Sequence, residues 1–134
     1  MPLAKGTFDV KVTPLPADDA AGGQAVGRYA LSKQFHGDLE GTSKGEMIGA
    51  GDPKSGSAGY VAVEHIIGAL HGRSGSFALQ HSSTMHAGNF DMRIIVSPGS
   101  SQGALAGISG TMKIVIEGKQ HFYEFDYTLP EASS

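Results

Sequence analysis

Apolar and polar residues alternate along most of this chain, which is the pattern of strands with one buried face. In the first such segment, Phe8, Val10 and Val12 share one face, and the residues between them are polar. The alternation predicts an all-β protein with little helix. It recurs in eight segments, which are Gly6–Pro14, Ala25–Leu39, Thr42–Ala50, Tyr60–His71, Ser76–Ser83, Phe90–Val96, Leu105–Ile116 and Lys119–Leu129.

Turn-forming sequences separate these segments. We predict a hairpin turn at Glu40-Gly41 and another at Arg73-Ser74-Gly75. Pro98-Gly99-Ser100 and Glu117-Gly118-Lys119 are further turn signals. The small and polar segment Ala17–Gly23 is predicted to be a loop.

The segment Tyr60–His71 is apolar on both faces and long enough to form a helix. Its β-branched residues and Gly68 favour a strand instead. Across the whole chain there are 20 glycines, and several of them lie inside the apolar segments rather than in a linker. Glycine permits bends and close strand approach, so this distribution predicts a strongly coiled sheet.

Eight strands with short connections must protect their edges, and full closure is the simplest way to do so. We therefore predict one domain over residues 1–134, a closed antiparallel β-barrel of about eight strands. A two-sheet sandwich is the structural alternative. A barrel of this size encloses either one small ligand or a plug of side chains.

Composition and charge exclude several classes of function. The chain has no cysteine, which excludes disulfides, thiolate metal sites and cysteine nucleophiles. A net charge of −3 argues against nucleic acid as a partner. No apolar run is long enough for a membrane-spanning helix, and Met1–Val10 lacks the apolar core of a secretory signal. The expected location is the cytoplasm.

The six histidines do not predict a metal site. None forms a His-x-His pair or an HExxH motif, and the spacing of His81 and His86 does not fit the cupin pattern. The glycine-rich turns do not lead into helices that could hold a phosphate group. We therefore expect neither a metal ion nor another cofactor.

Three stretches carry a resemblance to a known family: Phe35-His36-Gly37-Asp38-Leu39-Glu40-Gly41, Gly72-Arg73-Ser74-Gly75-Ser76-Phe77 and Leu105-Ala106-Gly107-Ile108-Ser109-Gly110. With Tyr60-Val61-Ala62-Val63-Glu64, they resemble the bacterial proteins grouped as domain of unknown function 3224. This resemblance implies the small β-barrel of the plant allene oxide cyclases, which rearrange an unstable fatty-acid epoxide in an apolar lumen. It implies no catalytic residues, because no local motif of the cyclases is present.

Several polar residues lie on otherwise apolar faces. Lys33 falls between Leu31 and Phe35, Glu64 lies within the most apolar segment, and His81 continues the face of the preceding apolar residues. If these faces point inward, the lumen holds buried charges that need a partner or a function. We predict Glu64 and His81 as candidate catalytic residues. The candidate ligand-binding residues are Lys33, Tyr60, Tyr29, Tyr123 and Phe125.

The pKa of Glu64 distinguishes two interpretations of this group. Burial without a cation would raise the pKa and make Glu64 a general acid or base. An adjacent Lys33 would lower the pKa, and the pair would then be structural. We keep both functional classes open: a barrel that binds an apolar small molecule, with or without cyclase-like or isomerase-like catalysis, and a non-catalytic carrier or stress-related structural protein.

The outward faces of two segments predict self-association. Tyr60–His71 and Leu105–Ile116 are apolar on both faces, so their outer faces are expected to form an exposed apolar patch. Such a patch commonly marks an interface. We therefore expect a homo-oligomer, in the simplest case a dimer.

Overall fold

A computed structural model describes residues 2–16, 26–87 and 89–130 of the chain. The predicted loop Ala17–Gly23 lies outside these ranges. One turn of 3-10 helix, Pro53–Ser55, precedes β4, and no helix in the described ranges has the length and hydropathy to span a bilayer. The strands are β1 (Leu3–Pro14), β2 (Gly27–Gly37), β3 (Leu39–Asp52), β4 (Ser57–Leu70), β5 (Arg73–His86), β6 (Asn89–Val96), β7 (Gln102–Gly103), β8 (Ser109–Glu117) and β9 (Gln120–Thr128).

The sheet closes on itself. Consecutive strands pair antiparallel from β1 to β6, β6 pairs with β8, β8 pairs with β9, and β9 returns to pair with β1. The two-residue strand β7 lies beside the start of β5. The prediction of a closed eight-stranded antiparallel barrel is confirmed. The sandwich alternative is wrong because the strands form a single closed sheet, and the helix alternative is wrong because Tyr60 to Leu70 belong to strand β4.

One end of the barrel is packed solid. At this end β1, β3, β5 and β8 begin, and β2, β4, β6 and β9 finish. We call it the closed end. Aromatic rings fill it, with Phe125 stacked between Phe77 and Tyr127. The buried apolar residues of the closed half include Phe35, Leu39, Leu70, Phe77, Leu79, Leu105, Tyr123, Phe125 and Tyr127.

The opposite end is less densely filled, and we call it the open end. Alternation along β1, β6 and β8 continues to place apolar side chains at lumen-facing positions there, but these side chains are accessible to water. Their exposed fractions are 46% for Val12, 41% for Met92, 73% for Phe90 and 62% for Ile116. Tyr29, Met47 and Tyr60, at inward positions on the neighbouring strands, are half-buried. The lumen therefore changes from a packed core to an apolar mouth along its axis.

Glycines allow the strands to approach each other closely enough for closure. A Cβ atom at Gly45 of β3 would lie 2.0 Å from the Val63 carbonyl oxygen of β4. Gly41 is similarly close to β4, where a Cβ would lie 2.4 Å from the Ile67 oxygen. Contacts this short are not possible for a side chain, so these positions require glycine.

Two predicted turns are displaced by a few residues. The β2–β3 hairpin turns at Asp38, next to Gly37 with φ of 109°, so Glu40-Gly41 is already part of β3. The β4–β5 hairpin turns at His71 and Gly72, which both have positive φ, so Arg73-Ser74-Gly75 is already part of β5. Glycine signals both turns and close contacts in a coiled barrel, which explains the displaced predictions.

The predicted strand Leu105–Ile116 also differs in its first half. Leu105 is buried, but it lies in a turn before β8, where the Ile108 amide donates to the Leu105 carbonyl. Ile108 and Met112 are buried as well, while Lys113 on the outward face of β8 is exposed. The outward face of β8 is therefore less apolar than that of β4, with Val115 as its exposed apolar residue.

The contact at Gly45 makes a testable prediction. We expect Gly45→Ala to destabilise the protein by about 1–3 kcal/mol, because the new methyl group overlaps the backbone of β4. Urea unfolding followed by circular dichroism measures this loss. Gly59→Ala is the matched control, because its Cβ would meet nothing closer than 3.4 Å. Equal unfolding free energies for the two variants would contradict the role assigned to Gly45.

Candidate functional site

A cluster of ionisable side chains crosses the middle of the lumen. Lys33 of β2, Ser43 of β3, Glu64 of β4 and His81 of β5 occupy inward positions on four neighbouring strands. All four are buried, and Glu64 is 0% exposed. We call them the polar layer. The alternation therefore places three of the sequence-predicted site residues on the inner face, and the register brings them into contact.

Glu64 is the centre of the polar layer. Its Oε1 lies 3.1 Å from Lys33 Nζ and 2.9 Å from His81 Nε2. The Ser43 hydroxyl donates to Oε2 over 2.7 Å. An ionised carboxylate only accepts hydrogen bonds, so the proton shared with His81 belongs to Nε2. Both oxygens of the carboxylate are therefore satisfied by donors from the other three strands.

These contacts set the protonation state of Glu64. Burial alone would raise the pKa of this carboxyl group. The hydrogen bond from His81, the charges of Lys33 and His81, and the hydrogen bond from Ser43 act in the opposite direction and together lower the pKa to about 2. Glu64 is therefore a carboxylate throughout the neutral range. It does not have the raised pKa that acid–base catalysis near pH 7 would need.

Two aromatic rings lie beside the ammonium group of Lys33. Its Nζ lies 5.0 Å from the ring centroid of Phe8 and 5.9 Å from that of Phe35, within the range of cation–π attraction. In the part of the chain that the structure describes, no buried side-chain nitrogen or oxygen lacks a hydrogen-bond partner. The charged and polar atoms of the polar layer therefore all have partners. This agrees with the structural interpretation, in which Lys33 lies beside Glu64 and forms an ion pair with it.

Tyr60 lies on the side of the polar layer that faces the open end. It is half-buried at an inward position of β4, with Ala62 between it and Glu64 on the same face, and Ser83 of β5 provides a side-chain hydrogen bond to it. Burial raises the pKa of Tyr60, and the negative charge of Glu64 raises it further against the opposing effect of Ser83. The phenol is therefore neutral at pH 7.

The other candidate residues are distributed along the barrel. Tyr29 faces the lumen near the open end, opposite Met47 of β3. Tyr123 lies in the closed half, where its hydroxyl accepts from the Leu39 amide over 2.8 Å and lies within hydrogen-bonding distance of the His36 and Leu39 carbonyls. Phe125 belongs to the aromatic stack of the closed end. The structure therefore gives Tyr123 and Phe125 clear packing roles and leaves Tyr29 and Tyr60 beside the mouth.

Sequence reasoning missed Ser43 and Ser83. Both are buried at inward positions, and each hydrogen-bonds a predicted site residue. The available signal was parity, because Ser43 shares the face of Leu39 and Met47, and Ser83 shares the face of His81. Within the described ranges, no group of three or more histidine, aspartate or glutamate side chains is arranged to hold a metal ion.

The comparisons with known proteins concern the whole barrel. The family model described as "Protein of unknown function (DUF3224)" matches residues 4–127. A crystal structure of a DUF3224-family protein of unknown function from Shewanella oneidensis MR-1 is similar, with 48% sequence identity and a TM-score of 0.89. The similarity covers 98% of this chain and 99% of that one. No curated protein matches the chain.

The ionised Glu64 predicts a specific pH dependence of stability. Its pKa is lower in the folded protein than its ordinary value of 4.5, so its contribution is fully present above about pH 4.5 and is lost as the pH falls through about 2. At neutral pH, Glu64→Gln leaves Lys33 buried without its counter-charge. We expect a loss of roughly 3–5 kcal/mol, which shrinks as the pH falls below 4.5.

Denaturant unfolding between pH 7 and pH 2 measures both effects. Glu46→Gln is the control, because Glu46 is exposed and forms an ion pair with Arg28 on the surface. That variant is expected to stay within about 1 kcal/mol of the parent protein. A Glu64→Gln profile parallel to the parent profile at every pH would contradict the assigned ionisation state.

Proposed function

Because the chain belongs to the DUF3224 family of proteins of unknown function, we propose its function from the barrel itself: it binds an apolar small molecule in the open half of the lumen. The observation that carries the proposal is the row of lumen-facing apolar side chains that stay exposed at the mouth. Val12, Phe90 and Met92 are each more than 40% exposed at such positions. Apolar side chains that converge on a lumen are a usual lining of ligand sites.

The floor of this proposed site is the polar layer with Tyr60 above it. Tyr60 and Ser83 offer hydroxyl groups at the boundary between apolar mouth and ionised layer. A ligand with an apolar body and one hydrogen-bonding group fits this arrangement. Its body would lie among the apolar residues of the mouth, and its polar group would lie at Tyr60. The resemblance to allene oxide cyclases supports the same arrangement, since their lumen receives a fatty-acid derivative.

The geometry of the lumen fits a binding protein better than it fits an enzyme that works by acid–base catalysis. Glu64 and His81 form a hydrogen bond with each other, and the pKa of Glu64 is about 2. A general acid or base must exchange its proton near the working pH, which a carboxyl group of this pKa does not do. We therefore assign Glu64, Lys33 and His81 to the maintenance of the lumen, and Tyr29 and Tyr60 to contact with the ligand.

Fluorescence quenching tests this proposal directly. The chain contains no tryptophan, so a single introduced tryptophan is the only indole fluorophore. In Tyr29→Trp this fluorophore faces the lumen. The probe is dibromostearic acid, whose bromine atoms quench tryptophan on contact. We expect saturable quenching that unbrominated stearic acid reverses by competition.

Lys113→Trp is the matched control, because Lys113 points outward from β8 and is exposed. Its fluorescence should show only the weak, unsaturable quenching caused by free probe. Absence of saturable quenching in Tyr29→Trp, or equal quenching in both variants, would overturn binding of such molecules in the lumen.

A further inference from the structure

A second histidine faces the lumen, outside the polar layer. His121 occupies an inward position of β9, on the face whose following residues Tyr123, Phe125 and Tyr127 are buried. Its imidazole packs against the ring of Phe8, with the two centroids 5.2 Å apart. Because β9 begins at the open end, the half-buried His121 belongs to the open half of the barrel, across the ring of strands from β4.

The imidazole of His121 has no hydrogen bond or ion pair with any residue in the described ranges. Its partners in the strand register explain this, because Phe8 on β1 and Ile116 on β8 are apolar. No buried side-chain nitrogen in these ranges lacks a partner, so the free ring nitrogens of His121 are accessible rather than sealed in the core. They are therefore available to a molecule in the lumen.

Occupation of the open half changes the situation of this imidazole. An apolar ligand excludes water from the side chains that it contacts, and a polar group that loses water without gaining another partner costs free energy. A ligand that is apolar throughout would leave His121 in that state. A ligand with a hydrogen-bond acceptor at this point would not, because imidazole offers an N–H donor whether or not it carries a charge.

The charges near His121 favour an anionic acceptor. In the middle and open half of the described lumen, the carboxylate of Glu64 is already bonded to Lys33 and His81. The cation of this group lies on the side of His121, since Lys33 Nζ is 5.0 Å from the centroid of the same Phe8 ring. A cationic ligand group would meet Lys33 without a free carboxylate, whereas a carboxylate would gain a charge-assisted hydrogen bond.

We propose that the ligand of the lumen is an amphipathic acid, whose carboxylate accepts a hydrogen bond from His121. The proposal rests on the proposed function and refines it, because it adds an acidic group to the hydrogen-bonding group at Tyr60. The two contacts come from opposite sides of the barrel, so the ligand carries these groups at separate positions on its apolar body. His121 is then the residue that selects an acid over an alcohol or an amine.

Three molecules with the same apolar chain and different head groups test this selection: decanoic acid, decanol and decyltrimethylammonium. Isothermal titration calorimetry of the unaltered chain near neutral pH, below micelle-forming concentrations, gives the three dissociation constants. We expect decanoate to bind about tenfold more tightly than decanol, as for a hydrogen bond to a charged group. The cation should bind most weakly. This comparison does not depend on the folding of any variant.

Substitution then assigns the selection to one residue. His121→Phe keeps a ring against Phe8 but removes the donor, so decanoate should lose its roughly tenfold advantage while decanol binds within about threefold of its original affinity. His65→Phe is the matched control, because His65 is exposed on the outward face of β4. The control should keep the preference for the acid.

The outcomes separate this proposal from the proposed function. If neither decanoate nor decanol binds the unaltered chain, the lumen site and the acid both fall. Equal binding of the two would overturn the acid and leave an apolar lumen site in place. A preference for decanoate that survives His121→Phe, or that His65→Phe removes equally, would overturn the assignment to His121.

Discussion

Closure of the sheet is the constraint on which the rest of this structure depends. Eight strands form a ring only if they coil strongly, and coiling presses the backbones of β3 and β4 together at Gly41 and Gly45. The same closure fixes which side chains face inward, because every second residue of each strand then points into one shared lumen. Burial of the polar layer, the aromatic packing of the closed end and the apolar mouth all follow from that ring.

The polar layer divides the lumen into two environments. Glu64 receives donors from three other strands, so its carboxylate holds β2 to β5 in one register. A shift of one residue in any of these strands would turn its member of the polar layer outward and break its contacts with the others. Buried ion pairs of this kind contribute little net stability compared with apolar packing, but they penalise the wrong alignment heavily. In this barrel, the layer therefore specifies the fold more than it strengthens it.

The alternation of apolar and polar residues was sufficient to predict the strands, the closure and the inward faces of Lys33, Glu64 and His81. It was not sufficient to locate the turns at Asp38 and His71, because glycines used for close approach resemble turn glycines in the sequence. Alternation alone places Ser43 on the inner face, but it could not predict that Ser43 reaches Glu64, since that depends on the register between β3 and β4. The direction of the Glu64 pKa followed from distances to Lys33 and His81 that only the structure supplies.

The pairing of β1 with β9 also determines how the chain can acquire this structure during synthesis. The first strand finds its second neighbour only when the last strand has been made, and Tyr123 joins the β2–β3 hairpin from 84 residues away. Until then the growing chain presents an open sheet with an unpaired edge and an uncovered apolar face. Such long-range contacts fold slowly and leave intermediates prone to aggregation. The chain is therefore most vulnerable to aggregation in the interval before β9 has been made.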